Sequence, residues 1–199
     1  MAQSTKQFCT TEEYLALEEK AEYKSEYYNG QIFAMAGGSP DHSLIAANII
    51  TTLKTVLRAT ACRTFSSDLR IAVKQKGFFT YPDAAVICGK IERAAGRSDT
   101  VTNPKVIVEV LSPSTEKYDR AEKFELYRPL ESFDTYILVD SKRIYVEAHQ
   151  KKGRKWEMES YESLEDVLKV ESLAIELSLL DFYDGAEFIT EQVTQSQET

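Results

Sequence analysis

A chain of 199 residues is long enough to bury one hydrophobic core, and its formal net charge of −8 at pH 7 argues against nucleic-acid binding over the whole surface. Hydrophobic residues make up 43% and charged residues 28%, and no apolar run is long enough to span a bilayer. We expect one cytoplasmic domain over residues 1–199, with an ordered core over about 11–183 and a flexible tail over 186–199.

The three cysteines are odd in number and lack the spacing of zinc ligands. Cys62 and Cys88 stand among apolar neighbours. We interpret both as small core residues, since a chain of this length needs no disulfide to be stable.

Local signals define the N-terminal third. Thr10 and Glu13 have the spacing of a capping box and predict a short helix over 11–20. Asn29-Gly30 lies between two strand-like runs and predicts a β-hairpin. After the breaker GGSP, apolar residues at helical spacing predict a long helix over 42–59.

The remaining pattern alternates strands and helices. The polar stretch 89–103 predicts a flexible loop, 163–170 a short helix, and 172–185 is ambiguous. Pro129 ends a helix that begins near residue 116. The fold class predicted is α/β (α+β), a mixed sheet flanked by helices with an N-terminal hairpin and helix. Strands are predicted near 62–65, 68–73, 83–88, 106–111, 135–140, 144–149 and 156–160, with a hairpin tip at 151–155.

Glu109 interrupts the apolar run VIVEVL, which is typical of a strand covered on both faces. An ionised carboxylate buried there loses several kcal/mol of solvation unless a cation or hydrogen bonds compensate. The alternative is an edge position, with Glu109 facing water. The apolar neighbours favour the buried position.

Asp83 follows Pro82 at the stiff entry to another apolar strand. Taken alone, Asp83 is also an ordinary turn residue. Carboxylates that face the same way from adjacent strands, about 5 Å apart, can share one divalent cation such as Mg²⁺. The carbonyl of Val110 is a candidate to complete such a ligand set.

Lys123 lies in the first turns of the helix that follows the Glu109 strand. If that helix packs back along the strand, Lys123 reaches the level of Glu109, with Asp119 and Tyr127 on the same helical face. Such a lysine can stabilise the negative charge of a phosphate under attack. The alternative, a solvated lysine paired with Asp119, stays open.

The segments YPDAAVI, VIVEVLSPSTEKYDRAEKFELYRPL and TYILVD resemble the Uma-type restriction endonuclease family, a branch of the PD-(D/E)XK nuclease superfamily. The resemblance extends over most of the chain, and LSPST…YDR…K is its most specific part. It implies Mg²⁺- or Mn²⁺-dependent hydrolysis of DNA phosphodiester bonds, with Asp83 and Glu109 as catalytic metal ligands. Leu111 stands where the superfamily pattern places a lysine, and the resemblance assigns that role to Lys123.

Two further residues are secondary candidates. By resemblance, Glu26 is an additional acidic ligand, although a surface charge on the hairpin is its alternative. His42 lies at a helix N-terminus, which disfavours the imidazolium form and is compatible with a neutral ring that accepts or coordinates. Its alternative is a structural or solvated histidine. The resemblance also implies a homodimer, with DNA held by local basic loops.

Two other functions remain open. The first is a nuclease fold that is catalytically silent and serves as a binding or interaction module. The second is an unrelated hydrolase with paired carboxylates, such as a glycosidase. A single tryptophan, Trp156, offers little of an aromatic platform for sugars and makes this the weakest interpretation.

Overall fold

The computed structural model describes residues 8–35 and 37–188. The helical segments are α1 (Thr11–Glu18), α2 (Pro40–Val56), α3 (Glu116–Tyr118), a π-helical segment (Asp119–Lys123), α4 (Phe124–Tyr127) and α5 (Leu179–Phe182), with 3₁₀ turns at Lys74–Lys76 and Glu171–Leu173. The strands are β1 (Ser25–Tyr28), β2 (Gln31–Ala34), β3 (Cys62–Ser66), β4 (Arg70–Val73), β5 (Phe78–Thr80), β6 (Ala84–Cys88), β7 (Thr100–Val101), β8 (Val106–Leu111), β9 (Thr135–Asp140), β10 (Val146–Lys152), β11 (Lys155–Tyr161), β12 (Val167–Val170) and β13 (Ile175–Ser178).

A six-stranded mixed sheet forms the centre, in the order β11-β10-β9-β8-β6-β3. Strand β8 pairs in parallel with β9 and antiparallel with β6. All six residues of β8 are buried, so this strand is covered on both faces, as its apolar run predicts. A five-stranded sheet has the order β2-β1-β5-β4-β7, and β12 pairs with β13.

The two faces of the central sheet pack against different layers. Ile45 and Ile49 of α2 cluster with Val108 on one face. On the other face, Ile107 clusters with Phe78 of the five-stranded sheet and with residues of α4. The odd-numbered side chains of β8, including that of Glu109, therefore point into the layer between the two sheets.

The predicted fold class is confirmed, and most of the predicted elements are present. The capping box of α1 forms both of its hydrogen bonds. Asn29 and Gly30 adopt positive φ angles of 46° and 80° in the predicted hairpin. The long helix begins at Pro40, with Ser39 as N-cap. The predicted tail lies outside the described residues from position 189 onward.

The helix predicted over 163–170 is wrong, because the structure has strand β12 there. Leu168 and Val170 are buried, and Val167 pairs with Ser178 of β13. The alternation of buried and exposed side chains along Val167–Val170 has the period of two expected of a strand. Pairing with β13, which begins five residues after β12 ends, fixes this segment as a strand.

The interpretation of Cys62 and Cys88 as small core residues that need no disulfide is also wrong. The two form a disulfide. They are directly opposite residues of the antiparallel pair β3–β6. The sequence separation of 26 gives no hint of this register. Cys9 is a free thiol.

The stretch 89–103, predicted to be a flexible loop, contains strand β7 and is held by a charge network. Arg70 is buried and donates to Asp99 Oδ2 at 2.7 Å and to Thr100 Oγ1 at 2.9 Å. Arg97 donates to Asp99 at 2.6 Å and pairs with Glu19 of the α1 C-cap. Hydrogen bonding to Arg97 lowers the pKa of Asp99 to about 2.

Within the described part of the chain, no helix combines the length and the apolar character needed to cross a lipid bilayer.

We expect Asp99→Asn to reduce the free energy of unfolding at pH 7 by about 1 kcal/mol, since Asp99 is half exposed and solvent screens its ion pairs. The folded-state pKa lies below the value of about 3.9 in unfolded chains, so this contribution is complete above about pH 4 and is lost as the pH falls towards 2. Urea unfolding curves of both proteins should therefore converge in acid. A difference that is constant with pH would contradict the assignment.

Candidate metal and catalytic site

Asp83 and Glu109 project from the same face of two neighbouring strands. In the β6–β8 pair, Ala84 lies opposite Val108, so the same register places Asp83, the residue before β6, opposite Glu109. Directly opposite residues of an antiparallel pair have Cα atoms about 5 Å apart. Both side chains contribute to the wall of one cavity.

The Asp83 carboxylate is held in place from two sides. Its Oδ2 accepts a hydrogen bond of 2.7 Å from the backbone N–H of Val110. Nε2 of His42, from the first turn of α2, lies 3.5 Å from the same oxygen. Gly38 allows this approach, because a Cβ there would lie 2.5 Å from Nδ1 of His42.

Three carboxylates from three separate elements surround the ammonium group of Lys123. Nζ lies 2.9 Å from Glu109 Oε1 and 3.0 Å from Glu26 Oε1. The π-helical segment adds Asp119, whose Oδ1 lies 3.5 Å from Nζ. All four side chains are buried. One lysine thus connects β8, the hairpin strand β1 and the helix.

Buried hydroxyl groups complete the surroundings of the acids. Tyr127 donates to Glu109 Oε1 at 3.0 Å, and Thr80 donates to Glu26 Oε1 at 2.5 Å. Tyr136 donates to the backbone carbonyl of Asp119 at 3.0 Å. Each carboxylate oxygen facing Lys123 from Glu26 or Glu109 therefore also accepts a hydroxyl hydrogen bond.

The pocket holds several carboxyl groups but one ammonium group, and this imbalance, together with burial, shifts their pKa values. Burial raises the pKa of Glu109 well above its usual value, and the negative charges of Asp119 and Asp83 raise it further, against the opposing effect of Lys123. Burial alone would lower the pKa of Lys123, but Glu109, Glu26 and Asp119 together raise it, so Lys123 keeps its proton. Burial also raises the pKa of Asp119.

The acids border a cavity of about 490 Å³. Its wall is made of Glu26, Tyr28, Phe33, Ala34, Met35, Gly37, Gly38, His42, Tyr81, Asp83, Glu109, Val110, Ser112, Ser114, Thr115, Tyr118, Asp119, Glu122 and Lys123. The site is therefore a pocket between the two sheets and the helix, with polar groups at Asp83 and Glu109 and aromatic rings around them.

The donors of this pocket fit a hard divalent cation. Over residues 8–35 and 37–188, no three His, Cys, Asp or Glu side chains converge as a metal-ligand set. Mg²⁺ needs fewer, because it is commonly bound through one or two carboxylates while waters and substrate oxygens fill its remaining positions. Asp83 and Glu109 supply two such carboxylates to the pocket.

This pocket is lined by all five residues singled out from the sequence: Glu26, His42, Asp83, Glu109 and Lys123. Glu26 is buried, so its alternative as a surface charge is wrong. A hydrogen bond to Asp83 raises the pKa of His42 against the effect of burial, and this rise is opposite in direction to the effect expected of a helix N-terminus. Thr80, Tyr118 and Tyr136 also belong to the surroundings of the acids, and their residue types carry no local signal in the sequence for a site.

Known proteins resemble this chain in sequence and in fold. Residues 11–181 match the Uma2 family, described as "Putative restriction endonuclease". Two uncharacterized proteins of Synechocystis sp. are similar: slr1290 is 36% identical, with 89% of this chain and 92% of that protein covered, and sll1609 is 34% identical, with 78% and 89% covered.

A crystal structure from Anabaena variabilis, described as a "putative nuclease belonging to DUF820", shares the fold. Its TM-score is 0.71 at 22% identity, and 87% of this chain and 97% of that chain are covered. The fold is thus that of a restriction-endonuclease-like protein. The chain belongs to the Uma2 family.

We expect Thr80→Val to reduce the free energy of unfolding by about 2 kcal/mol, because it removes the hydroxyl that donates to the buried Glu26 carboxylate and keeps the side-chain shape. Thr64→Val is a matched control, since the buried Oγ1 of Thr64 has no hydrogen-bond partner among the described residues. That substitution should change stability little. Urea unfolding measures both; equal losses would refute the assigned role of Thr80.

Proposed function

We propose that the protein is a metal-dependent DNA endonuclease that hydrolyses phosphodiester bonds. One observation carries the proposal: the acids Glu26, Asp83, Glu109, Asp119 and Glu122 line one pocket together with a single lysine, the buried Lys123. A surplus of buried carboxylates is costly unless positive charge is added. Membership of a restriction endonuclease family supports phosphate as the group that such a site acts on.

In this proposal Asp83 and Glu109 hold Mg²⁺ or Mn²⁺. The ion, when bound, polarises the phosphate and lowers the pKa of a coordinated water. The Val110 N–H fixes the Asp83 carboxylate, and Tyr127 and Lys123 orient that of Glu109. Because the carboxylates are already positioned, little reorganisation is needed when substrate enters.

Lys123 is proposed to stabilise the negative charge that develops on the phosphate oxygens as water attacks phosphorus and the leaving oxygen departs. Its raised pKa keeps the ammonium group charged over the whole neutral range. Glu26 and Asp119 hold this group at the pocket wall, and so act as positioning residues. His42 fixes the outer side of Asp83.

DNA, a homodimer and a cytoplasmic location complete the proposal. The acidic chain needs local positive charge to hold DNA, and Lys74 and Lys76 lie exposed in the turn between β4 and β5. Other basic residues are partly neutralised, since Arg97 pairs with Asp99 and Lys152 with Glu171. A two-fold dimer would carry two such pockets.

The second candidate is a catalytically silent nuclease fold that serves as a binding or interaction module. One observation favours it: Lys123 already pairs with the acids, and Tyr127 and Thr80 add hydrogen bonds, so much of the buried charge is compensated within the protein. Metal binding separates the two candidates.

For cleavage, we expect Asp83→Asn, Glu109→Gln and Lys123→Met each to reduce the Mg²⁺- or Mn²⁺-dependent nicking of circular DNA by at least about 100-fold, and EDTA to abolish it. Gel electrophoresis of supercoiled plasmid and of circular single-stranded DNA measures the rate. Glu125→Gln is the control, since this exposed acid lies in α4 and pairs with Arg128 instead. Cleavage that persists in both acid variants would defeat the site assignment.

For metal binding, we expect titration calorimetry with Mn²⁺ to show a saturable site that is lost in Glu109→Gln and retained in Glu125→Gln. Loss of one of two carboxylate ligands weakens a hard-cation site steeply. A silent module would show no saturable binding in any of these proteins. That result would favour the second candidate.

A further inference from the structure

A second cavity, of about 460 Å³, adjoins the acidic pocket. The two cavities share Met35, Gly37, Gly38, His42 and Asp83 as wall residues. Asp83 therefore does not lie at the closed end of a single pocket. It lies at the boundary between two chambers, and a polymer that reacts at Asp83 has room on both sides of its reacting bond.

The two chambers have different chemistry. The one that contains Glu109 is walled by the rings of Phe33, Tyr28 and Tyr118, which offer flat apolar surfaces. The other lies along α2 and is walled by the small residues Ser43 and Ala47, together with Lys24. Aromatic rings stack on nucleobases, whereas hydroxyl and backbone groups with small neighbours admit a phosphate. The ammonium group of Lys24 is itself paired with Asp68, so the small residues carry this argument.

We propose that the substrate is a single, unpaired DNA strand, whose bases stack in the aromatic chamber and whose continuation passes along α2 through the second chamber. This proposal rests on the proposed function, because it places the scissile phosphate at Asp83. A strand that enters one chamber and leaves by the other is cut internally, so no free end is required.

Burial argues against a paired duplex as the form that reacts. The side chains of Glu109 and Lys123 are only 5% and 6% exposed, and that of Asp83 is 18% exposed. Chambers of about 460 and 490 Å³ have the size of small-molecule sites, and each suits one or two nucleotides. In a duplex, neighbouring base pairs cover both faces of every base, so no face is open to Phe33 or Tyr118.

The net charge of the chain also favours a single strand over a duplex as the substrate. Binding of duplex DNA depends on neutralising many phosphates, which a chain of charge −8 does poorly. A single strand has a lower charge density, and stacking on aromatic rings contributes binding that does not depend on basic residues. The chain has 11 tyrosines and 9 phenylalanines, and four of these rings line the acidic pocket: Tyr28, Phe33, Tyr81 and Tyr118.

The test is a binding measurement on the full chain. Fluorescence anisotropy compares a labelled single strand of about 12 nucleotides with the duplex of the same sequence, in Ca²⁺ or without metal, so that cleavage does not interfere. We expect the single strand to bind at least about tenfold more tightly. A duplex that binds as tightly as the single strand would overturn the proposal.

Two variants test the two chambers. Phe33→Ala should weaken single-strand binding by about tenfold, since one stacking surface is lost. Its control is Tyr23→Ala, a ring that is 68% exposed and lines neither chamber. Ala47→Glu should weaken single-strand binding several-fold by repelling phosphate in the second chamber. Its control is Thr55→Glu, which adds the same charge further along α2 and should leave binding unchanged.

The readouts separate this proposal from the one on which it rests. Preferential single-strand binding without any Mg²⁺- or Mn²⁺-dependent cleavage would refute nuclease activity and leave strand binding established. Metal-dependent cleavage with equal binding of both DNA forms would retain the nuclease and refute the unpaired substrate. Chamber variants that behave as their controls would also overturn the assignment of a strand to these chambers.

Discussion

The pairing of one buried lysine with several carboxylates is the interaction on which the rest of the site depends. Lys123 contacts Glu26 of one sheet and Glu109 of the other, and Asp119 reaches it from its own helical segment. Removing a charged partner from such a buried group costs several kcal/mol. The residues proposed to act on phosphate therefore also hold the two sheets and the helix together, so chemistry and stability are coupled at this point.

The topology explains why the acids meet where they do. Strand β8 is the junction of the central sheet, parallel to β9 and antiparallel to β6. The antiparallel register brings Asp83 opposite Glu109, while the parallel connection to β9 requires a crossover, which carries Lys123 back over the same face. The five-stranded sheet then closes the layer from the other side with Glu26 and Thr80.

Local patterns in the sequence predicted much of this arrangement. A carboxylate in an apolar run indicated Glu109, and the stiff entry after Pro82 indicated Asp83, because both signals lie within a few residues. The Cys62–Cys88 pair and the burial of Glu26 depend on which distant strands become neighbours. No pattern along the chain encodes that choice, so these features became visible only in the fold.

The π-helical segment Asp119–Lys123 has a consequence for how the protein tolerates change. Its wider turn holds one residue more than an α-helix of the same rise, and π segments of this kind are frequent at functional sites. Deleting a residue such as Ala121 would close the wider turn into an α-helix and leave Asp119 and Lys123 three positions apart instead of four. The two side chains would then approach Glu109 with a changed spacing. Insertions and deletions in this turn should accordingly be rare among natural homologues, even where single substitutions on its outer surface are common.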